Sequence, residues 1–111
     1  MSSLAIAEIA PADAPRALLL LADPSPAKVD AYLPDARCFA ARLDGRTVGA
    51  CAVVPLGPEV CELMSIAVAP DAQRRGIGTA LLRRVISTLA AGGTRRLEVG
   101  TGSFGHQLAF Y

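Results

Sequence analysis

The first third of the chain has an apolar pattern that predicts one strand followed by two short helices. Residues 3–10 alternate weakly between apolar and polar positions, as the residues of a half-buried strand do. Residues 11–13 begin with a proline and end with an aspartate, which is typical of a turn or a helix start, so residues 14–22 are predicted to be helical. The Asp-Pro-Ser-Pro sequence at 23–26 ends that helix, and residues 28–33 predict a second one.

Three β-rich segments follow, and the turns between them predict an antiparallel meander. Residues 38–43 and 47–54 flank an Asp-Gly pair at 44–45, which is a strong signal for a tight hairpin. A turn with two prolines at 55–58 leads into a third strand at 60–68.

The remaining pattern predicts a strand–helix–strand crossover. A loop at 73–78 opens a helix whose apolar residues fall on one stripe, and the glycine pair at 92–93 ends it. Residues 96–99 form the next strand, which such a crossover makes parallel to the strand before the helix. After a loop at 100–105, residues 106–111 are predicted to be the first turns of a further helix.

Composition narrows the class of protein. With 111 residues the chain is long enough for one domain, and 52% apolar against 19% charged residues excludes a disordered chain. A net charge of +1 and the absence of tryptophan argue against a nucleic acid partner. The apolar run at 17–22 is too short to span a bilayer and has no basic segment before it, so neither a membrane partner nor a targeting segment is expected.

Cysteine usage indicates a reducing compartment. Cys38, Cys51 and Cys61 are odd in number and far apart, which makes a poor disulfide framework. No C-x-x-C pair is present to begin a zinc site, so no metal is expected. We predict buried, reduced cysteines in a cytoplasmic protein.

The loop before the long helix has the chemistry of an anion cradle. Its two glycines let the backbone approach a ligand closely, and the first N–H groups of the helix are unpaired and lie at the positive end of the helix dipole. Its threonine adds a hydroxyl donor and its two arginines add charge. An ordinary strand-to-helix turn with solvated arginines is the alternative. The loop consists of Gln73, Arg74, Arg75, Gly76, Ile77, Gly78 and Thr79.

A second glycine loop, at 100–105, matches the dinucleotide fingerprint G-x-G-x-x-G letter by letter. The fingerprint also needs a following helix, a second parallel strand and an acidic residue about 20 positions on, and the sequence stops at residue 111. A flexible connection is therefore the favoured interpretation. No G-x-x-x-x-G-K-[ST] sequence is present, which excludes a P-loop nucleotide hydrolase.

The sequence at 73–78 has the form Q/R-x-x-G-x-G/A and resembles the acetyl-CoA-binding motif of the GNAT superfamily of N-acetyltransferases. The strand at 62–68, the proline at position 70 and the hairpin at 44–49 resemble the family's context for that motif, and the resemblance covers residues 38–111. It implies an α/β fold with a mixed, mostly antiparallel sheet, helices on both faces, and a central crossover that carries the coenzyme's pyrophosphate loop.

The resemblance implies acetyl-CoA as co-substrate and assigns residues to it. The N–H groups from Arg74 to Thr79 would hold the pyrophosphate, and Gln73 is also assigned to coenzyme binding. The edge formed by Ile66, Ala67 and Val68 would pair with the pantetheine arm as an added strand would. An N–H group in that edge would polarise the thioester carbonyl. The family often has an asparagine before its last helix that contacts the coenzyme, and this sequence has Ser103 there.

Two residues match catalytic positions of the family. Glu62 lies where histone-acetylating members carry a general base, and its alternative is a solvent-facing glutamate at the end of a strand. Tyr111 matches the tyrosine that many members use as general acid, and its alternative is a core aromatic residue. His106, the only histidine, is expected at the surface.

The resemblance thus implies direct transfer of an acetyl group from acetyl-CoA to a primary amine of a small molecule or peptide. Complete members continue past the tyrosine, so residues 1–111 are expected to form one N-acetyltransferase domain that is incomplete at its C-terminus. The edge of the strand at 96–99 is then expected to be unpaired and open to a homodimer contact. A non-catalytic CoA-binding fragment and an interaction module are the alternatives.

Overall fold

The computed structural model describes residues 3–99 and the backbone of residues 106–109. The strands of these residues form one sheet in which each strand lies beside its neighbour along the chain. All neighbouring strands pair antiparallel except β4 and β5, which are parallel. The strands are β1 (Leu4–Ile9), β2 (Arg37–Leu43), β3 (Arg46–Pro55), β4 (Val60–Val68), β5 (Arg96–Val99) and β6 (His106–Ala109). The predicted meander and the predicted parallel crossover are both confirmed.

Helices cover both faces of this sheet. On one face lie α1 (Arg16–Ala22) and α2 (Pro26–Tyr32). The N-cap of α2 is Ser25, whose Oγ accepts a hydrogen bond of 3.3 Å from the Lys28 N–H. On the other face lies α3 (Ile77–Ala91), the helix of the crossover. The predicted α/β class and layering are confirmed.

The sheet separates two apolar clusters because successive residues of a strand face opposite sides. Phe39 and Cys51 pack with α3, whereas Cys38 and Ala52 pack with α1 and α2. The third cysteine, Cys61, lies in the α3 cluster. All three thiols are free and buried, as the sequence predicted.

The predicted helix at residues 106–111 is wrong for 106–109, which form β6 and pair antiparallel with β5. A segment this short gains little from helical hydrogen bonds alone, whereas the free edge of β5 offers a ready ladder for its N–H and C=O groups. The expected unpaired edge of β5 is therefore wrong too, because β6 covers it. The outer strands of the described sheet are β1 and β6.

A β-bulge interrupts the ladder in the middle of β4. Ala52 and Val53 are adjacent in β3, yet they pair with Ser65 and Leu63, so Met64 is the extra residue of β4. Bulges bend a strand and redirect its side chains, and they are frequent beside active sites. The bulge divides β4 into a first half that pairs with β5 and a second half, from Met64 to Val68, that has no β5 partner among the described residues.

Candidate functional site

The second half of β4 ends at the loop that carries the predicted anion cradle. In this loop Gly76 has φ +75° and Arg74 has φ +66°, both in the left-handed region. Glycine adopts this conformation without strain, which explains why the N-cap of α3 is Gly76. The Gln73 side chain donates a hydrogen bond of 3.0 Å to the Val68 carbonyl oxygen and so joins the loop to the strand.

The first turn of α3 presents backbone donors without partners. The first helical hydrogen bond runs from the Ala80 N–H to the Gly76 carbonyl oxygen, at 3.0 Å. The N–H groups of Ile77, Gly78 and Thr79 come before it and have no acceptor within residues 3–99. The Ile77 side chain is buried in the core, so only its backbone can meet a ligand.

A cleft of about 370 Å³ joins this helix start to the end of β4. At Gly78 the helix lies against Val68, because a Cβ built there would be in van der Waals contact, at 3.5 Å, with Cγ2 of Val68. The structure therefore brings both predicted coenzyme-binding segments together at one place. The residues that line the cleft are Ile66, Ala67, Val68, Gly78, Thr79 and Leu82. Of these, only Leu82 was not predicted, although it follows Gly78 by one turn of the same helix.

Glu62 lies on the opposite face of the sheet from α3. Cys61 and Leu63 pack in the α3 cluster, so Glu62 between them faces the side of α1 and α2. Its partner in the parallel ladder is Glu98, which also faces that side, since Leu97 and Val99 pack towards α3. Both carboxylates are half-buried. The sequence analysis did not single out Glu98, because only the β4–β5 register places it beside Glu62.

Unpaired charges of opposite sign mark the two sides of the site. Arg74 and Arg75 are exposed beside the start of α3, and neither has an acidic partner in the described part of the chain. Glu62 and Glu98 likewise have no basic partner there. The loop side of the site thus attracts anions, and the adjacent carboxylates of Glu62 and Glu98 can attract a cation to their immediate surroundings.

The cysteines are not arranged for nucleophilic chemistry. Burial raises the pKa of the Cys51 thiol to about 12 and also raises the pKa of Cys38. The Cys61 thiol lies in the α3 cluster with Thr94 Oγ1 at 3.6 Å. A buried thiol with a raised pKa, as in Cys38 and Cys51, is a poor nucleophile near neutral pH.

The remaining predicted residues lie at the C-terminal end. Ser103 and Tyr111 fall outside the described residues, and of His106 only the backbone is described, in β6. Within residues 3–99, no three histidine, cysteine, aspartate or glutamate side chains converge on a point that could hold a metal ion. None of the helices formed by these residues is long and apolar enough to cross a bilayer.

Comparison with known proteins identifies the family. The model of the acetyltransferase (GNAT) family matches residues 6–111. An uncharacterized N-acetyltransferase of Bacillus subtilis, YvbK, is 36% identical over 95 residues, which are 85% of this chain and 61% of the relative. The chain thus spans about three fifths of the length of this curated relative.

Solved acetyltransferase structures superpose on this chain, so the similarity includes the three-dimensional fold. The IAA acetyltransferase of Bacillus cereus superposes with a TM-score of 0.84 at 38% identity, covering 91% of this chain and 67% of that protein. A GNAT family acetyltransferase of Elizabethkingia anophelis, with acetyl-CoA bound, gives a TM-score of 0.82 at 35% identity, covering 90% and 66%. The family model, the relatives and the glycine loop at 73–79 all point to the same family. The chain belongs to the acetyltransferase (GNAT) family.

Proposed function

We propose that the protein is an N-acetyltransferase that transfers an acetyl group from acetyl-CoA to a primary amine of a small molecule or peptide. The observation that carries this proposal is the cleft in which Ile66, Ala67 and Val68 face Gly78 and Thr79. The Elizabethkingia anophelis relative, crystallised with acetyl-CoA, supports the choice of co-substrate.

The described residues fit an extended, anionic coenzyme. The unpaired N–H groups at the start of α3 suit a pyrophosphate, and Arg74 and Arg75 add positive charge beside them. The second half of β4 has an edge without a β5 partner among the described residues, and an amide-rich arm can pair with such an edge. A side chain at Gly78 would fill the space between these two segments.

The proposed roles of Glu62 and of Ile66–Val68 rest on their positions and on the family motif, and that of Tyr111 rests on the motif alone. Acetyl-CoA supplies the acetyl group as a thioester. An N–H group of Ile66–Val68 donates to the thioester carbonyl oxygen and stabilises the charge that develops there. Glu62 accepts a proton from the acceptor ammonium, directly or through a water molecule. Tyr111 donates a proton to the departing thiolate.

The acceptor approaches from the side of α1 and α2 in this proposal. Glu62 and Glu98 place two carboxylates side by side there, which favours a protonated amine over a neutral or anionic acceptor. Direct attack is favoured over an acetyl-cysteine intermediate because Cys38, Cys51 and Cys61 are buried. Free, buried thiols also support a reducing compartment such as the cytoplasm.

Thiol release from acetyl-CoA, measured over a panel of amines, tests the proposal. The panel should contain monoamines, diamines and peptides with a free N-terminus, and acetyl-CoA binding should be measured by calorimetry in parallel. Turnover with at least one amine supports the enzyme. Binding without turnover would favour a non-catalytic CoA-binding protein, and absence of both would favour an interaction module.

A further inference from the structure

We infer that the hydrogen bond between the Tyr32 and Ser65 hydroxyls positions the bulged half of β4 for acetyl transfer. The inference rests on the function proposed above and assigns two positioning residues to the same site. Neither hydroxyl touches the cleft, so both act through the backbone that carries Ile66 to Val68.

The pair is unusual within this core. Ser65 is 5% exposed and, apart from Tyr32, is the one buried residue with a hydroxyl group in the part of the chain that the structure describes fully. Tyr32, the last residue of α2, is 8% exposed, and the two hydroxyl oxygens lie 2.9 Å apart. The Tyr32 phenol is protonated at neutral pH, as tyrosines ordinarily are, and burial raises its pKa further, so either hydroxyl can donate.

The location of the pair matters more than its strength. Met64 is the extra residue of the bulge, and Ser65 is the next residue of the same strand. A bulge leaves one residue outside the ladder, so backbone pairing fixes the strand less tightly there. A buried, fully satisfied hydrogen bond restricts its partners to one geometry, which an apolar contact of the same size does not do.

The constraint acts directly on the cleft. Ser65 precedes Ile66, the first of the three β4 residues that line it. A shift of the bulge changes the direction of the N–H groups proposed to meet the thioester carbonyl, whereas the loop at the start of α3 is untouched. Loss of either hydroxyl should therefore reduce turnover by a larger factor than it weakens acetyl-CoA binding, because the shift affects the strand edge and leaves the pyrophosphate loop in place.

The test compares Tyr32→Phe, Ser65→Ala and the double variant with Val29→Ala, all in the full chain. Val29 is fully buried on the same helix and carries no polar group, so its truncation loosens α2 without touching the hydroxyl pair. Three quantities are measured: kcat, the Kd of acetyl-CoA, and amide hydrogen exchange at residues 64–68 relative to residues 50–53 of β3.

We expect kcat to fall about tenfold in each hydroxyl variant, since a buried partner is left unpaired, with the Kd of acetyl-CoA rising by a clearly smaller factor. The double variant should be no worse than either single variant, because both remove the same bond. The ratio of the amide exchange rate at residues 64–68 to that at residues 50–53 (the exchange ratio) should rise in these three variants. In Val29→Ala the unfolding temperature should fall while kcat and the exchange ratio stay near those of the parent.

Equal changes in the exchange ratio for Tyr32→Phe and Val29→Ala would overturn the inference, as would additive losses in the double variant. Hydrogen exchange needs no turnover, so it decides the positioning role even if the parent acetylates no amine. Absence of turnover in the parent would contradict the proposed function alone.

Discussion

The side-chain amide of Gln73 lies 3.0 Å from the carbonyl oxygen of Val68, to which it donates a hydrogen bond. This bond closes the turn between the last residue of β4 and the glycine loop, and Gly78 then lies against the Val68 side chain. The width of the cleft is thus set by contacts within the chain. Gln73 was expected to contact the coenzyme, and the bond to Val68 gives its side chain a structural role as well.

Removal of the loop's positive charge should weaken coenzyme binding in a salt-dependent way. Arg75→Gln should raise the Kd of acetyl-CoA about fivefold at low ionic strength, the equivalent of ~1 kcal/mol for an exposed charge-assisted contact. At about 0.5 M salt the difference should largely disappear, because exposed charges are screened.

Arg42→Gln is the matched control, since Arg42 is also exposed and without an acidic partner among residues 3–99, but lies on β2. Calorimetric titration at two salt concentrations makes the comparison. An equal effect of the two substitutions would show that Arg75 acts only through the net charge of the protein.

Glu62→Gln should remove the proton acceptor while preserving the size of the side chain. We expect kcat/KM to fall by about 10²-fold or more and the acidic limb of its pH profile to flatten. Glu98→Gln is the control. Glu98 is the ladder partner of Glu62 on the same face of the sheet, so this substitution removes the same charge from a neighbouring position. If the two variants have the same pH profile, Glu62 contributes charge to the acceptor side and is not the base.

Tyr111→Phe should reduce turnover without reducing coenzyme affinity. The substitution deletes one hydroxyl, and a general acid typically contributes about 10²–10⁴-fold to the rate. Turnover must be measured where chemistry limits the rate, together with the Kd of acetyl-CoA. An unchanged kcat would remove Tyr111 from the mechanism.

The buried thiol of Cys51 should make the protein less stable at alkaline pH. Its pKa is raised to about 12 in the folded protein, whereas an exposed cysteine has a pKa of about 8.5. Between these values the unfolded chain has lost a proton that the folded chain retains. The free energy of unfolding should therefore decrease with rising pH, by up to about 1.4 kcal/mol per pH unit.

Urea unfolding of the parent and of Cys51→Val between about pH 8 and 11 measures this slope. The variant keeps an apolar side chain in the α3 cluster and removes the titrating group, so its stability should decline less steeply. Identical slopes would show that the alkaline loss comes from other groups.

Much of the fold could be predicted because local signals and tertiary structure agree. The Asp44–Gly45 turn and the alternating strands around it specify the hairpin of β2 and β3 in the sequence itself. The apolar stripe and the glycine stop of α3 are also local signals. Residues 106–109 have no comparable local signal, and pairing with β5 decides their conformation.

The candidate site likewise has features that are visible in the sequence and features that arise only when the strands and helices pack together. The glycine loop was found because glycines and a helix start are visible in sequence. The bulge at Met64 is a property of two paired strands, and the neighbouring Glu62 and Glu98 meet only through the β4–β5 register. Tyr32 and Ser65 are 33 positions apart, so their hydrogen bond follows from packing of α2 on the sheet.

The central claim is that the cleft between the end of β4 and the start of α3 binds acetyl-CoA. Titration calorimetry of Gly78→Val with acetyl-CoA tests it most directly, because the added side chain enters the space beside Val68 that the coenzyme would occupy. Gly57→Ala is the control, since Gly57 lies outside the cleft and a Cβ there meets no atom within 4 Å. Unfolding midpoints of both variants show that the fold persists.

We predict that the parent and Gly57→Ala bind acetyl-CoA with the same Kd and that Gly78→Val binds at least about tenfold more weakly, a difference of ~1.4 kcal/mol. A folded Gly78→Val variant that binds acetyl-CoA as tightly as the parent would contradict the account.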